Sequence, residues 1–182
     1  MRQLAHICAA ALIAVLPACA AQTASHKAKP EPKPNATGPE LFEYVRSALL
    51  LLTPDDGIND TLEVTFNWNT NVMTIAQQGG HCDLFLNSLN TNDVAWDMFD
   101  PSDAHETRDK LLRLTLVSVS STKARTCYDK ENEVDESVPT NRARLLFSYT
   151  KADQWPNFQT KFAKALKRLI VLSGGTPEKA LF

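Results

Sequence analysis

The fold is decided by residues 62–76, LEVTFNWNTNVMTIA. Apolar residues occupy every second position from Leu62 to Trp68, which is the pattern of a strand with one buried face. Asn69-Thr70-Asn71 supplies turn-forming side chains, and Val72 to Ala76 then returns as a second strand. This stretch predicts an antiparallel hairpin, and therefore a body that is built on a sheet.

Five further segments have the length and composition of strands and are separated by turn residues. They are His81–Leu86, Asp93–Phe99, Leu111–Ser120, Lys123–Tyr128 and Arg142–Tyr149. The first of them could instead be a short helix that runs to Leu89. One or two helical turns are expected up to Lys110, and an acidic loop is expected over residues 129–139.

Two helices flank the predicted strands. Thr37-Gly38-Pro39-Glu40 has the spacing of a capping box, and apolar residues then recur on one helical face until Thr53-Pro54. At the other end, Asp153 can cap an amphipathic helix whose apolar stripe begins at Trp155, and Gly174-Gly175 supplies its stop. Packing against the core is the simplest role of the first helix's apolar face, and a partner groove or a membrane surface is the alternative.

The order of these elements predicts an α+β fold with about seven antiparallel, meandering strands, an N-terminal helix and a packed C-terminal amphipathic helix. Seven meandering strands followed by one such helix resemble the pleckstrin-homology-like barrel. The resemblance implies a helix that closes one open end of a barrel, and many unrelated functions use that architecture. A closed barrel and a strongly bent open sheet both remain possible from the sequence.

A secretory leader precedes the folded part. Arg2 is a positive n-region, Ile7–Leu16 is an apolar h-region and Pro17–Ala21 is a small-residue exit, which predicts a signal peptide over residues 1–18. The apolar run has roughly half the length that a helix needs to cross a bilayer core. We therefore expect a cleaved leader and an exported protein.

The end of the leader contains a candidate lipid-attachment site. Leu16-Pro17-Ala18-Cys19 resembles the bacterial lipobox, which implies a lipidated Cys19 as the mature N-terminus and a membrane anchor in the bacterial cell envelope. Ordinary cleavage after Ala20 is the alternative, and it would give a soluble periplasmic or secreted chain. Diacyl anchoring holds a protein on a membrane where one chain is marginal.

Residues 19–38 predict a disordered tether, and residues 39–182 predict one globular domain. The tether is rich in Ala, Thr, Ser and Lys around a Pro-Glu-Pro-Lys-Pro core, so it has little apolar surface to offset its ordering entropy. The chain carries 19 basic and 21 acidic side chains, a formal net charge of −2. That balance argues against nucleic acid as a partner, because non-specific nucleic-acid binding needs a strong basic footprint.

Cysteine positions predict one disulfide. Cys8 lies in the leader and Cys19 lies at its end, which leaves Cys82 and Cys127 as an even pair in an exported protein. Two separate buried thiols are the alternative. In the barrel that the resemblance implies, the bond would join the third strand to the sixth.

No residue pattern predicts catalytic, cofactor-binding or metal-binding residues, and no cofactor is expected. His81-Cys82-Asp83 places a thiol beside a base and an acid, but neighbours on a strand point to opposite faces. A zinc site from Cys82, Cys127 and either His81 or His105 lacks the paired spacing of such sites. Lys161, Lys164 and Arg168 share one face of the last helix with Lys167 beside it, which fits a solvated surface or contact with anionic lipid.

The sequence therefore favours a non-enzymatic, envelope-tethered or secreted binding domain whose partner is an unknown envelope protein or ligand. A secreted hydrolase with a site assembled from scattered residues such as His81, His105 and nearby aspartates is one alternative. A structural envelope protein is the other.

Overall fold

A computed structural model describes residues 31–53, 62–77, 79–99, 110–119, 122–128 and 141–177. The leader with Cys19, the helical turns expected before Lys110, His105 and the acidic loop at 129–139 lie outside these residues. The elements, in chain order, are α1 Gly38–Leu52, β1 Glu63–Asn67, β2 Val72–Gln77, β3 Gly80–Phe85, a 3-10 turn Leu86–Ser88, β4 Leu89–Phe99, β5 Leu111–Ser118, β6 Arg125–Tyr128, β7 Arg142–Ser148, α2 Tyr149–Asp153 and α3 Phe158–Leu172.

The fold is α+β, as the sequence predicts, and the described residues form seven antiparallel strands between an N-terminal and a C-terminal helix. In the part of the chain that the structure describes, the strands form two sheets, with the orders β1-β2-β3-β6 and β4-β5-β7, and these sheets are not closed into a barrel. The predicted meander is interrupted at β6, which leaves its neighbours in sequence and pairs with β3. We call the two layers the first sheet and the second sheet.

The predicted hairpin of β1 and β2 forms with Phe66 opposite Met73 and Asn67 opposite Val72. The Asn67 side-chain oxygen accepts the backbone N–H of Asn69 at 3.0 Å and closes the turn. Asn71 has a φ of 57°, a left-handed conformation that asparagine tolerates better than most residues. Local side-chain chemistry therefore accounts for the turn.

α1 begins where the capping pattern predicts. The backbone N–H of Thr37 donates to the Glu40 carboxylate at 2.7 Å, and the Thr37 hydroxyl donates to the same oxygen at 2.9 Å. These two hydrogen bonds lower the pKa of the Glu40 carboxyl. The apolar face of α1 is buried in the core through Leu41, Tyr44, Val45, Ala48, Leu49 and Leu52.

The start of the last helix differs from the sequence prediction. Asp153 does not cap it but ends the short helix α2, whose first turn is capped by the Ser148 hydroxyl accepting the Lys151 N–H. Pro156 disfavours a helical conformation for Trp155, so the chain breaks there and α3 starts at Phe158. Gly174, with a φ of 87°, lies just beyond the C-terminal end of α3, where the sequence predicts a stop.

α3 packs on the second sheet through aromatic rings. Phe147 of β7 lies 5.1 Å from Phe158 and 5.0 Å from Phe162 between ring centroids, and Trp96 of β4 lies 5.7 Å from Phe158. Such edge-to-face pairs are favourable beyond the area that they bury. One wall of the core is therefore made by α3 and β4, where the candidate site lies.

A disulfide joins Cys82 and Cys127, as the sequence predicts. Cys82 of β3 and Cys127 of β6 are directly opposite each other in the antiparallel ladder, and their sulfur atoms are 2.09 Å apart. The bond joins the third strand to the sixth. It covalently fixes β6, which has four residues, to the first sheet.

Candidate functional site

The His81-Cys82-Asp83 triplet is divided between two faces of the first sheet. Cys82 packs against the core and is bonded to Cys127, so it offers no thiol as a nucleophile. On the other face, the His81 ring stacks on Tyr128 at 4.7 Å, and an Asp83 carboxylate oxygen accepts the Thr74 hydroxyl at 2.6 Å. The alternation of side chains along β3 therefore keeps the histidine and the sulfur apart.

The described residues do not form the zinc site considered from the sequence, which needs Cys82 and Cys127 as ligands. Cys82 and Cys127 are bonded to each other and are not available as thiolate ligands. Within the described ranges no group of three or more His, Cys, Asp or Glu side chains could hold a metal ion.

The basic face of α3 holds the segment that precedes α1. Arg168 donates from its two terminal nitrogens to the Lys33 carbonyl at 2.9 Å and to the Ala36 carbonyl at 3.1 Å. Lys164 forms an ion pair with Glu31 at 3.2 Å. Residues 31–36, which belong to the described part of the predicted tether, therefore lie along α3 and have specific contacts.

Two neighbouring cavities lie along this face of α3, with volumes of about 640 Å³ and about 420 Å³. Both are lined by Lys167 and Arg168, so they adjoin, and together we call them the α3 groove. The larger cavity is also lined by Trp96, Gln159, Thr160, Ala163 and Lys164. The smaller is also lined by Asn35, Ala36, Thr91, Val171 and Leu172.

The groove combines positive charge with apolar surface. Three cationic side chains, Lys164, Lys167 and Arg168, line it. None of the described residues that line it carries a carboxylate, and the Glu31 carboxylate that pairs with Lys164 lies outside the lining. Leu172 at its end is 61% exposed, and Val171 is also exposed. A site with cations beside apolar walls suits an anionic group attached to an apolar body.

The sequence pointed to the helix side of this groove and missed its other walls. The lysines and Arg168 were identified from their helical spacing, but Trp96 and Thr91 belong to β4, and Asn35 and Ala36 belong to the segment before α1. Trp96 and Thr91 precede α3 by more than 60 residues in the sequence, and Asn35 and Ala36 precede it by still more. Only tertiary contacts bring these residues to the groove. Neither His81 nor Asp83 lines the groove.

A second charged surface covers the outer side of the second sheet. Arg113 of β5 donates from Nε to both carboxylate oxygens of Asp97 on β4, each at 3.0 Å, and its terminal nitrogen also contacts that carboxylate. The hydrogen bonds from Arg113, and then the charges of Arg113 and Arg144, lower the pKa of the Asp97 carboxyl. This pair is partly exposed to solvent, and the charges of Arg113 and Asp97 neutralise each other. It is therefore a weaker candidate for a binding site than the α3 groove.

Comparison with protein-family models, with curated proteins and with solved structures gives no match to this chain. Among the described residues, no helix combines the length and the apolar character needed to cross a membrane.

Proposed function

We propose that this protein is an exported, non-enzymatic binding domain that is anchored in the bacterial cell envelope through a lipidated Cys19 and binds an anionic partner in the α3 groove. The observation that carries the proposal is the convergence of Lys164, Lys167 and Arg168 on one groove with apolar walls. The chain as a whole has a net charge of −2, so this local concentration of positive charge is a feature of the groove and not of the composition.

The position of residues 31–36 supports the link between anchoring and binding. The tether would reach the domain beside Lys164 and Arg168, because Glu31, Lys33 and Ala36 contact these side chains. A partner in the groove would thus be bound next to the point where the domain is connected to the membrane.

Site-specific photo-crosslinking in cells tests the binding site. A photoreactive residue is placed at Thr160, which is exposed and lines the groove, or at Thr65, which is exposed on β1 of the first sheet. We expect one discrete crosslinked species from Thr160, none from Thr65, and at least a threefold loss of that species in the Lys164→Glu variant. Equal labelling from both positions, or labelling that Lys164→Glu leaves unchanged, would contradict the proposed site.

The anchor has its own test, which is the intact mass of the protein in the membrane fraction. A mass that includes the lipid on Cys19, and release into the soluble fraction by Cys19→Ala, are the expected results. A mature species that begins at Ala21 without added lipid would remove the anchor from the proposal and leave the groove untouched.

A further inference from the structure

β4 is an edge strand whose outer edge already exchanges backbone hydrogen bonds with another part of the chain. Among the described residues, the second sheet has the order β4-β5-β7, so one side of β4 has no strand of the sheet beside it. At its beginning this side forms a parallel bridge between Asn90 and Thr176. The Thr91 N–H donates to the Thr176 carbonyl at 3.2 Å, and the Thr176 N–H donates to the Leu89 carbonyl at 3.0 Å.

The remainder of this edge borders the α3 groove. In the part of the chain that the structure describes, no segment pairs with the free side of β4 from Asp93 to Met98. Trp96 lies in the middle of this stretch and lines the larger cavity. An unpaired row of backbone N–H and C=O groups next to a lined cavity is the geometry that receives an added strand.

The register of β4 shows which way an added strand would direct its side chains. Trp96 is opposite Leu114 and Met98 is opposite Leu112, and both leucines are buried on the side that faces α3. Met98 on the same side is 56% exposed. Side chains that an added strand places level with Trp96 and Met98 would therefore contact an apolar edge and reach the cations of α3.

The opposite face of β4 favours different side chains on an added strand. Asp97 projects there toward Arg113, so the neighbouring positions of an added strand lie beside a carboxylate that is already paired. Acidic side chains of the added strand would interact favourably with the cations on the α3 side, and on the other side they would lie beside the like charge of Asp97. The charge pattern therefore selects a peptide in which acidic residues alternate with neutral ones.

We infer that the partner binds as an extended peptide that adds a strand to β4 over Asp93–Met98 and directs acidic side chains of alternate residues toward Lys164, Lys167 and Arg168. This inference rests on the proposed function, because it specifies the partner of the same groove. Backbone hydrogen bonds supply the pairing, and the alternation of side chains supplies the preference for an acidic sequence. Six paired residues correspond to a strand of about 20 Å.

The test uses the purified full chain and two capped hexapeptides, Glu-Val-Glu-Val-Glu-Val and Lys-Val-Lys-Val-Lys-Val, titrated in low-salt buffer. We expect the acidic peptide to bind at least tenfold more tightly than the basic one, and its binding to shift the backbone amide resonances of Asp93–Met98. Lys164→Glu is expected to lower the affinity for the acidic peptide at least threefold. The matched control is Lys123→Glu, an equal charge change at an exposed lysine outside the groove, and it should leave the affinity unchanged.

N-methylation of the acidic peptide separates strand addition from simple charge attraction. An added strand donates only every second N–H to β4, so methylation of one alternate set should abolish binding and methylation of the other set should preserve it. Equal binding of the two methylated peptides would overturn strand addition while leaving the proposed binding function standing. Failure of the acidic peptide to bind below 1 mM, or a shift of the same amides caused by dimerisation of the protein alone, would also overturn it.

Discussion

Reduction of the disulfide between Cys82 and Cys127 should lower the free energy of unfolding by about 4 kcal/mol. The two cysteines are 45 residues apart in sequence. For a loop of that length the chain-entropy relation gives about 4 kcal/mol at 25 °C, because the cross-link restricts the unfolded chain. Reduced and oxidised protein have the same side chains, so the comparison isolates the cross-link from the packing of the two sulfur atoms.

Urea unfolding, followed by circular dichroism with and without dithiothreitol, measures this difference. With a slope of about 2 kcal/mol per molar urea, a loss of about 4 kcal/mol moves the midpoint down by roughly 2 M. The double variant Cys82→Ala/Cys127→Ala should unfold at a urea concentration at or below that of the reduced protein, since it also loses buried sulfur contacts. A midpoint shift below about 0.5 M, or alkylation of both cysteines in the native oxidised protein, would refute the reasoning.

Three further predictions concern single residues. Burial, and secondarily the charge of Glu31, raises the pKa of Tyr44 from 10.0 to about 12. The folded state therefore favours the neutral phenol. Relative to Tyr44→Phe in parallel urea titrations, the free energy of unfolding should be constant below pH 10 and fall by about 3 kcal/mol between pH 10 and pH 12, and matching pH profiles of the two proteins would contradict this. Gly175→Ala should cost about 1–3 kcal/mol in thermal or urea unfolding, because a Cβ there would lie 2.4 Å from Ile170 Cγ2 and 2.7 Å from the Leu86 carbonyl oxygen. At Gly174, with a φ of 87°, a Cβ would make only an ordinary contact with Asn87 Cβ at 3.9 Å. Gly174→Ala should therefore cost only about 1 kcal/mol, from the left-handed backbone conformation, and a larger cost at Gly174 than at Gly175 would contradict the packing. Arg168→Ala removes the two hydrogen bonds to the carbonyls before α1. Amide hydrogen exchange of Ala36, whose N–H donates to the Lys33 carbonyl at 2.9 Å, should therefore accelerate several-fold while that of β5 stays unchanged, and unchanged exchange at Ala36 would contradict the assigned contacts.

The parts of the fold that the sequence predicts are those with local signals. The hairpin of β1 and β2 follows from alternation and an asparagine-rich turn, and the start of α1 follows from Thr37 and Glu40. The pairing of β6 with β3 has no local signal, because a four-residue strand can join any available edge. The cysteine pair carried that information, since Cys82 and Cys127 are directly opposite in the ladder.

The candidate site was predictable only in part for a similar reason. Helical spacing identifies the cations of α3, because three or four residues separate neighbours on one helix face. It cannot identify what lies opposite them. Trp96 reaches the groove only because α3 packs on the second sheet, and the start of α3 itself was displaced by Pro156 from the position that Asp153 indicated.

The contacts of residues 31–36 determine whether partner binding and tethering compete. The Lys164–Glu31 pair is exposed, with 60% of the lysine side chain accessible to solvent, and exposed pairs of this kind contribute about 0–1 kcal/mol. Arg168, by contrast, binds two backbone carbonyls, whose positions do not depend on side-chain identity. An anionic partner that binds Lys164 therefore displaces only the weakly held Glu31 carboxylate. The hydrogen bonds from Arg168 to the backbone of residues 31–36 stay in place. Glu31→Gln should then raise the affinity of the acidic hexapeptide by a small factor of about two to five without faster amide exchange at Ala36, and a loss of affinity would show that Glu31 orders the groove instead of competing for it.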